Sequence, residues 1–119
     1  MEIRLEFMFD AAHFFADKPA EHSYRRMHGH SFRVVAGVDG APDPTTGFVV
    51  DFADLEAALG ELRRTLDHSL LNEIEGLSLP SLENLSIWIW RRLKPQFGGL
   101  TRVEVHRDSR GQSCIYTGA

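Results

Sequence analysis

The sequence from residue 27 to residue 38 reads Met27-His28-Gly29-His30-Ser31-Phe32-Arg33-Val34-Val35-Ala36-Gly37-Val38. Its even positions hold two histidines followed by apolar residues, whereas its odd positions are on average more polar. Because successive side chains of a strand point to opposite faces, this alternation predicts a half-buried β-strand. Both histidines then lie on the apolar face, and their imidazoles can reach one point in space, as a bound metal ion requires.

A third imidazole, that of His13, follows another alternating segment. Between residues 2 and 9 the odd positions are apolar and most even positions are charged, which predicts a second strand with His13 just beyond its end. Three imidazoles with an open fourth position are typical of a catalytic zinc site, as opposed to a closed structural one. The residues alone leave a second interpretation open, in which these are ordinary surface or core histidines without a metal.

Two helices are predicted in the middle of the chain. Asp51 is placed to cap the first helix, and Ser81 is placed to cap the second, which Pro95 ends. The apolar stripe expected on the first helix consists of Phe52, Leu55, Leu59, Leu62 and Leu66, with Ala58 alongside. Two final strands are expected around residues 100–106 and 113–117. This order predicts an α+β fold, an antiparallel four-stranded sheet with two helices on one face.

Composition narrows the class of protein. The 119 residues are 43% hydrophobic and 25% charged, which is typical of one soluble globular domain spanning residues 1–119. A net charge of −4, with no long basic run, argues against nucleic acid or an anionic membrane as the partner. The one cysteine, Cys114, excludes an internal disulfide and fits a reducing cytoplasm, where we expect the protein to work.

Motifs along nearly the whole chain resemble one family. They are, in order, Phe9-Asp10-Ala11-Ala12-His13, His28-Gly29-His30-Ser31, Gly47-Phe48-Val49-Val50-Asp51-Phe52, Leu66-Asp67-His68, Leu71-Asn72, Glu83-Asn84-Leu85, Trp88-Ile89-Trp90 and Cys114-Ile115-Tyr116. The set resembles the 6-pyruvoyl-tetrahydropterin synthase family, which includes the bacterial 6-carboxy-tetrahydropterin synthases of queuosine biosynthesis. The resemblance implies the tunnelling fold, a ββααββ unit. It also implies homo-oligomers, trimers that stack into hexamers, with active sites at subunit interfaces.

The resemblance further implies the chemistry of the site. Family members hold zinc with three histidines that match His13, His28 and His30, and they act on the side chain of 7,8-dihydroneopterin triphosphate. The pair Asp67-His68 is similar to the family's acid–histidine pair, in which a carboxylate orients an imidazole that relays protons. Without the resemblance, the same pair also suits the polar C-terminal end of a helix.

Two positions depart from the family pattern. Tyr24 stands where family enzymes carry the cysteine that acts as a base, and we expect it to be an acid, a base or a pocket wall. Asp108 aligns with the glutamate that grips the guanidine-like edge of the pterin, although aspartate is also an ordinary turn residue. Hydroxyls that help to hold the pterin in relatives fall near Ser81 and Leu82, so one of them is missing here. Ser81 and Glu83 complete the predicted substrate-binding residues.

Three functional hypotheses follow. The first is a zinc-dependent lyase or synthase acting on a reduced pterin. The second is a diverged enzyme that cyclises a different small molecule or cleaves one of its carbon–carbon bonds. The third is a catalytically silent metal- or pterin-binding subunit, which Asp67-His68 disfavours because a binder needs no proton relay. The candidates for gripping a triphosphate, each also suited to a solvated surface, are Arg25, Arg26, Arg107 and Arg110.

Overall fold

The computed structural model describes all 119 residues, and the predicted order of elements is confirmed. The elements are, in chain order, strands β1 (Glu2–His13) and β2 (His28–Asp39), helices α1 (Phe52–Leu66) and α2 (Leu82–Leu93), and strands β3 (Leu100–Arg107) and β4 (Gln112–Tyr116). The strands form one antiparallel sheet in the order β1-β2-β3-β4. The fold is therefore α+β with the ββααββ order.

Strands β1 and β2 pair along their whole length, from Glu2 opposite Asp39 to His13 opposite His28. His13 was expected just beyond β1, but it is the last residue of the strand because its backbone continues the ladder to His28. The long ladder also gives the molecule its elongated shape, with extents of 59, 25 and 24 Å.

Both helices pack on the face of the sheet that carries the even residues of β2, and one hydrophobic core of 21 residues fills the space between. The helices bury Leu55, Leu59, Leu62 and Leu66 from α1, and Leu82, Leu85, Ser86, Trp88, Ile89 and Leu93 from α2. Phe52, predicted to begin the stripe of α1, is 44% exposed, because it occupies the first position of the helix, about one turn before Leu55. Neither helix has the length and hydropathy of a membrane span.

The opposite face of the sheet is polar. Arg33 of β2 pairs there with Asp108, and Glu104 of β3 lies 2.8 Å from Nε2 of His106. The sheet thus separates two environments, because its side chains alternate between an apolar helix-covered face and a charged open face.

Both predicted helix caps are confirmed. The Asp51 carboxylate accepts a hydrogen bond from Ala53 N at 2.8 Å, and the Ser81 hydroxyl accepts one from Asn84 N at 3.1 Å. Each bond satisfies an amide that would otherwise lack a partner within the helix.

Replacing Asp51 with alanine removes the acceptor for Ala53 N–H and should lower the free energy of unfolding by about 1 kcal/mol. Urea denaturation followed by circular dichroism measures the change. The control is Asp51→Asn, which keeps a side-chain oxygen at the cap and should stay close to the unmodified protein. An equal loss in both variants would contradict the capping role.

Candidate metal centre and active site

Three imidazoles meet at the end of the β1–β2 ladder. His13 of β1 lies opposite His28 of β2, and Ala11 lies opposite His30, so the three histidines share the apolar face. The distances between ring centroids are 4.6 Å for His13–His28, 5.0 Å for His13–His30 and 4.8 Å for His28–His30. One ligand nitrogen from each ring lies within 4.8 Å of the other two. The structure therefore brings the three predicted metal ligands together.

The hydrogen bonds of these rings leave one nitrogen of each free. Nδ1 of His13 lies 3.2 Å from the carbonyl oxygen of Pro80, and Nδ1 of His28 lies 2.7 Å from that of Arg26. A carbonyl oxygen only accepts, so each Nδ1 carries the proton and the lone pair remains on Nε2. The Nε2 atoms of all three histidines are buried without a hydrogen-bond partner. Because buried orphaned polar atoms are rare, this converging set fits a divalent metal ion.

Burial also sets the charge of the imidazoles. The ring of His13 is fully buried and makes edge contacts with Phe15 and Phe32 at centroid distances of 4.9 and 5.9 Å. Burial lowers the pKa of His13 to about 4, and burial together with the positive charge of Arg107 lowers the pKa of His30 to about 4. Both rings are neutral at pH 7, which is the form that binds a metal.

Tyr24 lies beside the three histidines. Its ring stacks on that of His28, with centroids 5.8 Å apart and an interplanar angle of 26°, and it also contacts Phe15 at 6.0 Å. Its neighbours Gln112 and Arg110 lower the pKa of the phenol by stabilising the phenolate. Tyr24, predicted to be an acid, a base or a pocket wall, is therefore next to the ring nitrogens of the histidine cluster.

A cavity of about 210 Å³ adjoins this tyrosine and contains three of the predicted catalytic and substrate-binding residues, Tyr24, Ser81 and Glu83. We call it the Arg107 cavity. Its other lining residues are Phe15, Lys18, Leu82 and Arg107. It lies at the N-terminal end of α2, where Ser81 caps the helix.

Asp108 lies apart from this cavity. It follows the end of β3, and its carboxylate binds the Arg33 guanidinium through two contacts, Nε to Oδ2 at 2.9 Å and Nη2 to Oδ1 at 3.1 Å. This pairing lowers the pKa of Asp108, and it holds the side chain toward the polar face, to which Arg33 belongs. The neighbouring Arg107 instead lines the cavity, on the face that carries Val103 and Val105. The period of two along β3 was the pattern that could have distinguished these neighbours.

The predicted relay pair is assembled just after α1. Nδ1 of His68 lies 2.9 Å from Oδ2 of Asp67, whose Oδ1 accepts a hydrogen bond from Asp10 N at 2.9 Å. Arg63 Nη2 approaches the same carboxylate at 3.2 Å. The Asp10 amide, then the His68 ring and the Arg63 charge, lower the pKa of Asp67 and keep it ionised. His68 has a φ of 57°, an uncommon left-handed backbone for a residue other than glycine.

The side chain of His68 is 82% exposed and borders a second cavity, of about 480 Å³. The lining of this cavity comprises Asp10, Ala11, Ala12, Gly29, His30, Ser31, His68 and Ser69. Most of these sheet residues belong to the face opposite the three histidines. No hydrogen bond or ring contact joins His68 to the histidine cluster. Within one chain, His68 therefore borders the same cavity as His30 but makes no direct contact with the histidine cluster.

The metal-free protein should lose stability as the pH falls from about 6.5 toward 4. The unfolded chain protonates His13 and His30 near the ordinary pKa of about 6.5, whereas the folded protein does so only near 4. Unfolding therefore takes up protons in this window, and each histidine should cost on the order of 1–3 kcal/mol by pH 4.

Urea denaturation across this pH range, after removal of metal with a chelator, measures the effect. The double variant His13→Asn/His30→Asn is the control and should show a flatter pH dependence. A slope as steep as that of the unmodified protein would contradict the assignment to these two rings.

Comparison with known proteins agrees with this geometry. Residues 2–119 match the family model of 6-pyruvoyl tetrahydropterin synthase. The chain is 40% identical over 106 residues to the 6-carboxy-5,6,7,8-tetrahydropterin synthase of Synechocystis sp., covering 84% of this chain and 81% of that protein. It is 35% identical over 96 residues to the dihydroneopterin monophosphate aldolase of Pyrococcus furiosus, covering 81% and 77%.

The fold has a solved counterpart as well. The structure of Caenorhabditis elegans 6-pyruvoyl tetrahydropterin synthase superposes with a TM-score of 0.86 at 23% identity, covering 100% of this chain and 96% of that one. This structural similarity confirms the tunnelling fold. With the family match extending over nearly every residue, the chain belongs to the 6-pyruvoyl tetrahydropterin synthase family.

Proposed function

We propose that the protein is a zinc-dependent lyase that acts on the side chain of 7,8-dihydroneopterin triphosphate or a related reduced pterin. The observation that carries this proposal is the convergence of three buried, unpartnered Nε2 atoms, beside one cavity lined by His30 and another lined by Tyr24. Its curated relatives include a 6-carboxy-5,6,7,8-tetrahydropterin synthase and a dihydroneopterin monophosphate aldolase. When bound by His13, His28 and His30, zinc supplies Lewis acidity toward a hydroxyl or carbonyl oxygen.

The chain's own residues supply the proton transfers. The ionised Asp67 accepts the Nδ1–H of His68, which fixes the ring and leaves Nε2 to take a proton from the substrate side chain or return one. Tyr24 stands on the metal side with a lowered pKa, which suits it to donate or accept a proton at the other end of the side chain. Because Tyr24 also stacks on His28, its ring forms part of the cavity wall next to the histidine cluster.

We propose further that the active site is completed between subunits of a cytoplasmic homo-oligomer, a trimer or a hexamer. One subunit would contribute the three histidines, and its neighbour would contribute Asp67 and His68. The support is geometric, since the His68 segment runs along the edge of β1, its ring makes no contact with the three histidines of its own chain, and its side chain is largely exposed. The single cysteine, Cys114, fits the reducing compartment.

A second candidate function keeps the metal centre but changes the substrate. A diverged enzyme would cyclise another small molecule or cleave one of its carbon–carbon bonds. The specific observation that favours it is the lining of the Arg107 cavity, where Tyr24 replaces the family's cysteine and a buried arginine stands on the metal side of β3.

The zinc-loaded protein should convert 7,8-dihydroneopterin triphosphate, measured by triphosphate release and by chromatography of the pterin products. His28→Ala removes one ligand and should lower both zinc content and turnover, the latter by at least about 100-fold. The matched control is His106→Gln, which changes a histidine on the polar face and should retain zinc and activity. Absence of turnover in the zinc-loaded protein would refute the pterin substrate and favour the second candidate.

Mixed oligomers test the shared site. His28→Ala and His68→Ala should each be inactive alone, because one lacks the metal half and the other lacks the relay half. After co-expression at equal levels, random assembly should give one intact metal half beside one intact relay half in about one quarter of the sites, so about one quarter of the activity returns. Mixed oligomers verified by mass spectrometry that stay inactive would contradict a site shared between subunits.

A further inference from the structure

Arg107 is a buried guanidinium that the fold leaves without a partner. It is 8% exposed, and its Nε has no hydrogen-bond partner. It takes part in none of the ion pairs of the chain, although most other arginines on the sheet pair with a carboxylate. Burial lowers the pKa of Arg107. A desolvated charge of this kind is costly unless a group of opposite charge joins it, which points to a bound ligand.

The polar groups around Arg107 are mainly positive charges and hydrogen-bond donors. Lys18 contributes a second positive charge to the cavity, and Ser81 contributes a hydroxyl at the N-terminal end of α2, where the helix dipole is positive. The one carboxylate on the lining belongs to Glu83, whose charge raises the pKa of Arg107 without forming an ion pair with it. Tyr24 completes the wall between this cavity and the metal centre.

Neighbouring residues of β3 and β2 connect the cavity to the histidine cluster. His106 pairs with Arg33, so Arg107 comes beside Phe32 on the neighbouring strand. The Phe32 ring in turn contacts His13 and His30, each with centroids 5.9 Å apart. A ligand group held by Arg107 therefore sits next to the metal-binding nitrogens and not at a remote surface.

We propose that Arg107 binds an anionic group of the substrate, a carboxylate or a phosphate, in the cavity beside the metal centre. A guanidinium offers five N–H donors and no acceptor, so it pairs with two oxygens of an acid group and not with a donor-rich edge. The assignment rests on the proposed function for the location of the site. It deepens that function by stating the charge of the group that enters the cavity and by making Arg107 a specificity-determining residue.

Anion binding can be measured without turnover. The purified protein, its metal content determined for each variant, is titrated with inorganic phosphate and separately with propionate, and binding is followed by NMR. At least one anion should bind at millimolar concentration and shift the Arg107 Nε–H resonance, and the tighter one identifies the acid group. Arg107→Gln should weaken this binding by at least about tenfold, and Arg107→Lys should weaken it less.

The matched control is Arg91→Gln, an exposed arginine of α2 outside the cavity, which should bind the anions like the unmodified protein. Neopterin, a pterin without an acid group, provides the opposite probe, and Arg107→Gln should not weaken its binding. Failure of both anions to bind, or equal binding by Arg107→Gln, would overturn the proposal. Arg107-dependent anion binding by a protein that does not turn over the pterin would instead refute the proposed function alone.

Discussion

The pairing of β1 with β2 is the constraint on which the rest of the site depends. Antiparallel register sets His13 opposite His28, and the two-residue period then sets His30 on the same face. A slip of one residue would turn one strand's histidines to the opposite face of the sheet and separate the three rings. The register is held by the core, because Phe9 and Phe32 stack directly below the histidines with centroids 4.9 Å apart. The same strand register therefore sets both the packing of the core and the positions of the three histidines.

The start of α2 couples the metal centre to the neighbouring cavity. The Pro80 carbonyl accepts from Nδ1 of His13 and so selects the tautomer that leaves Nε2 free. The next residue, Ser81, caps α2 and lines the cavity. Two consecutive residues therefore orient a ligand histidine, begin a helix and shape a binding surface. A change in this short segment would act on all three, so its effects on stability and on ligand binding would be hard to separate.

The division of the site has a simple structural origin. A four-stranded sheet with helices on one face has only one apolar side, and the histidine cluster occupies it with the core. The relay pair follows α1, where the chain passes the edge of β1, and the Asp10 amide fixes Asp67 there. Exposure of the His68 ring is what the proposed site shared between subunits would require. Assembly between subunits would bring together what the single sheet keeps apart.

Local patterns in the sequence were sufficient for much of the fold. The alternation in β1 and β2, the caps Asp51 and Ser81, and the helical stripes predicted the elements correctly, since each depends on neighbouring residues. The errors lay at element ends. Whether His13 belongs to β1 depends on a partner fifteen residues away, and whether Phe52 is buried depends on where the sheet lies beneath the helix.

The sequence by itself determined which residues could bind a metal, because histidine spacing on a strand fixes their common face. It also determined the family, through ordered motifs along the chain. The period of two along β3 groups Arg107 with Val103 and Val105, but only the tertiary structure decided that this face meets the histidine cluster and that Arg33 of another strand binds Asp108. Likewise, only the tertiary structure placed Asp67 and His68 at the edge of β1, since no local pattern encodes which strand a distant segment runs beside.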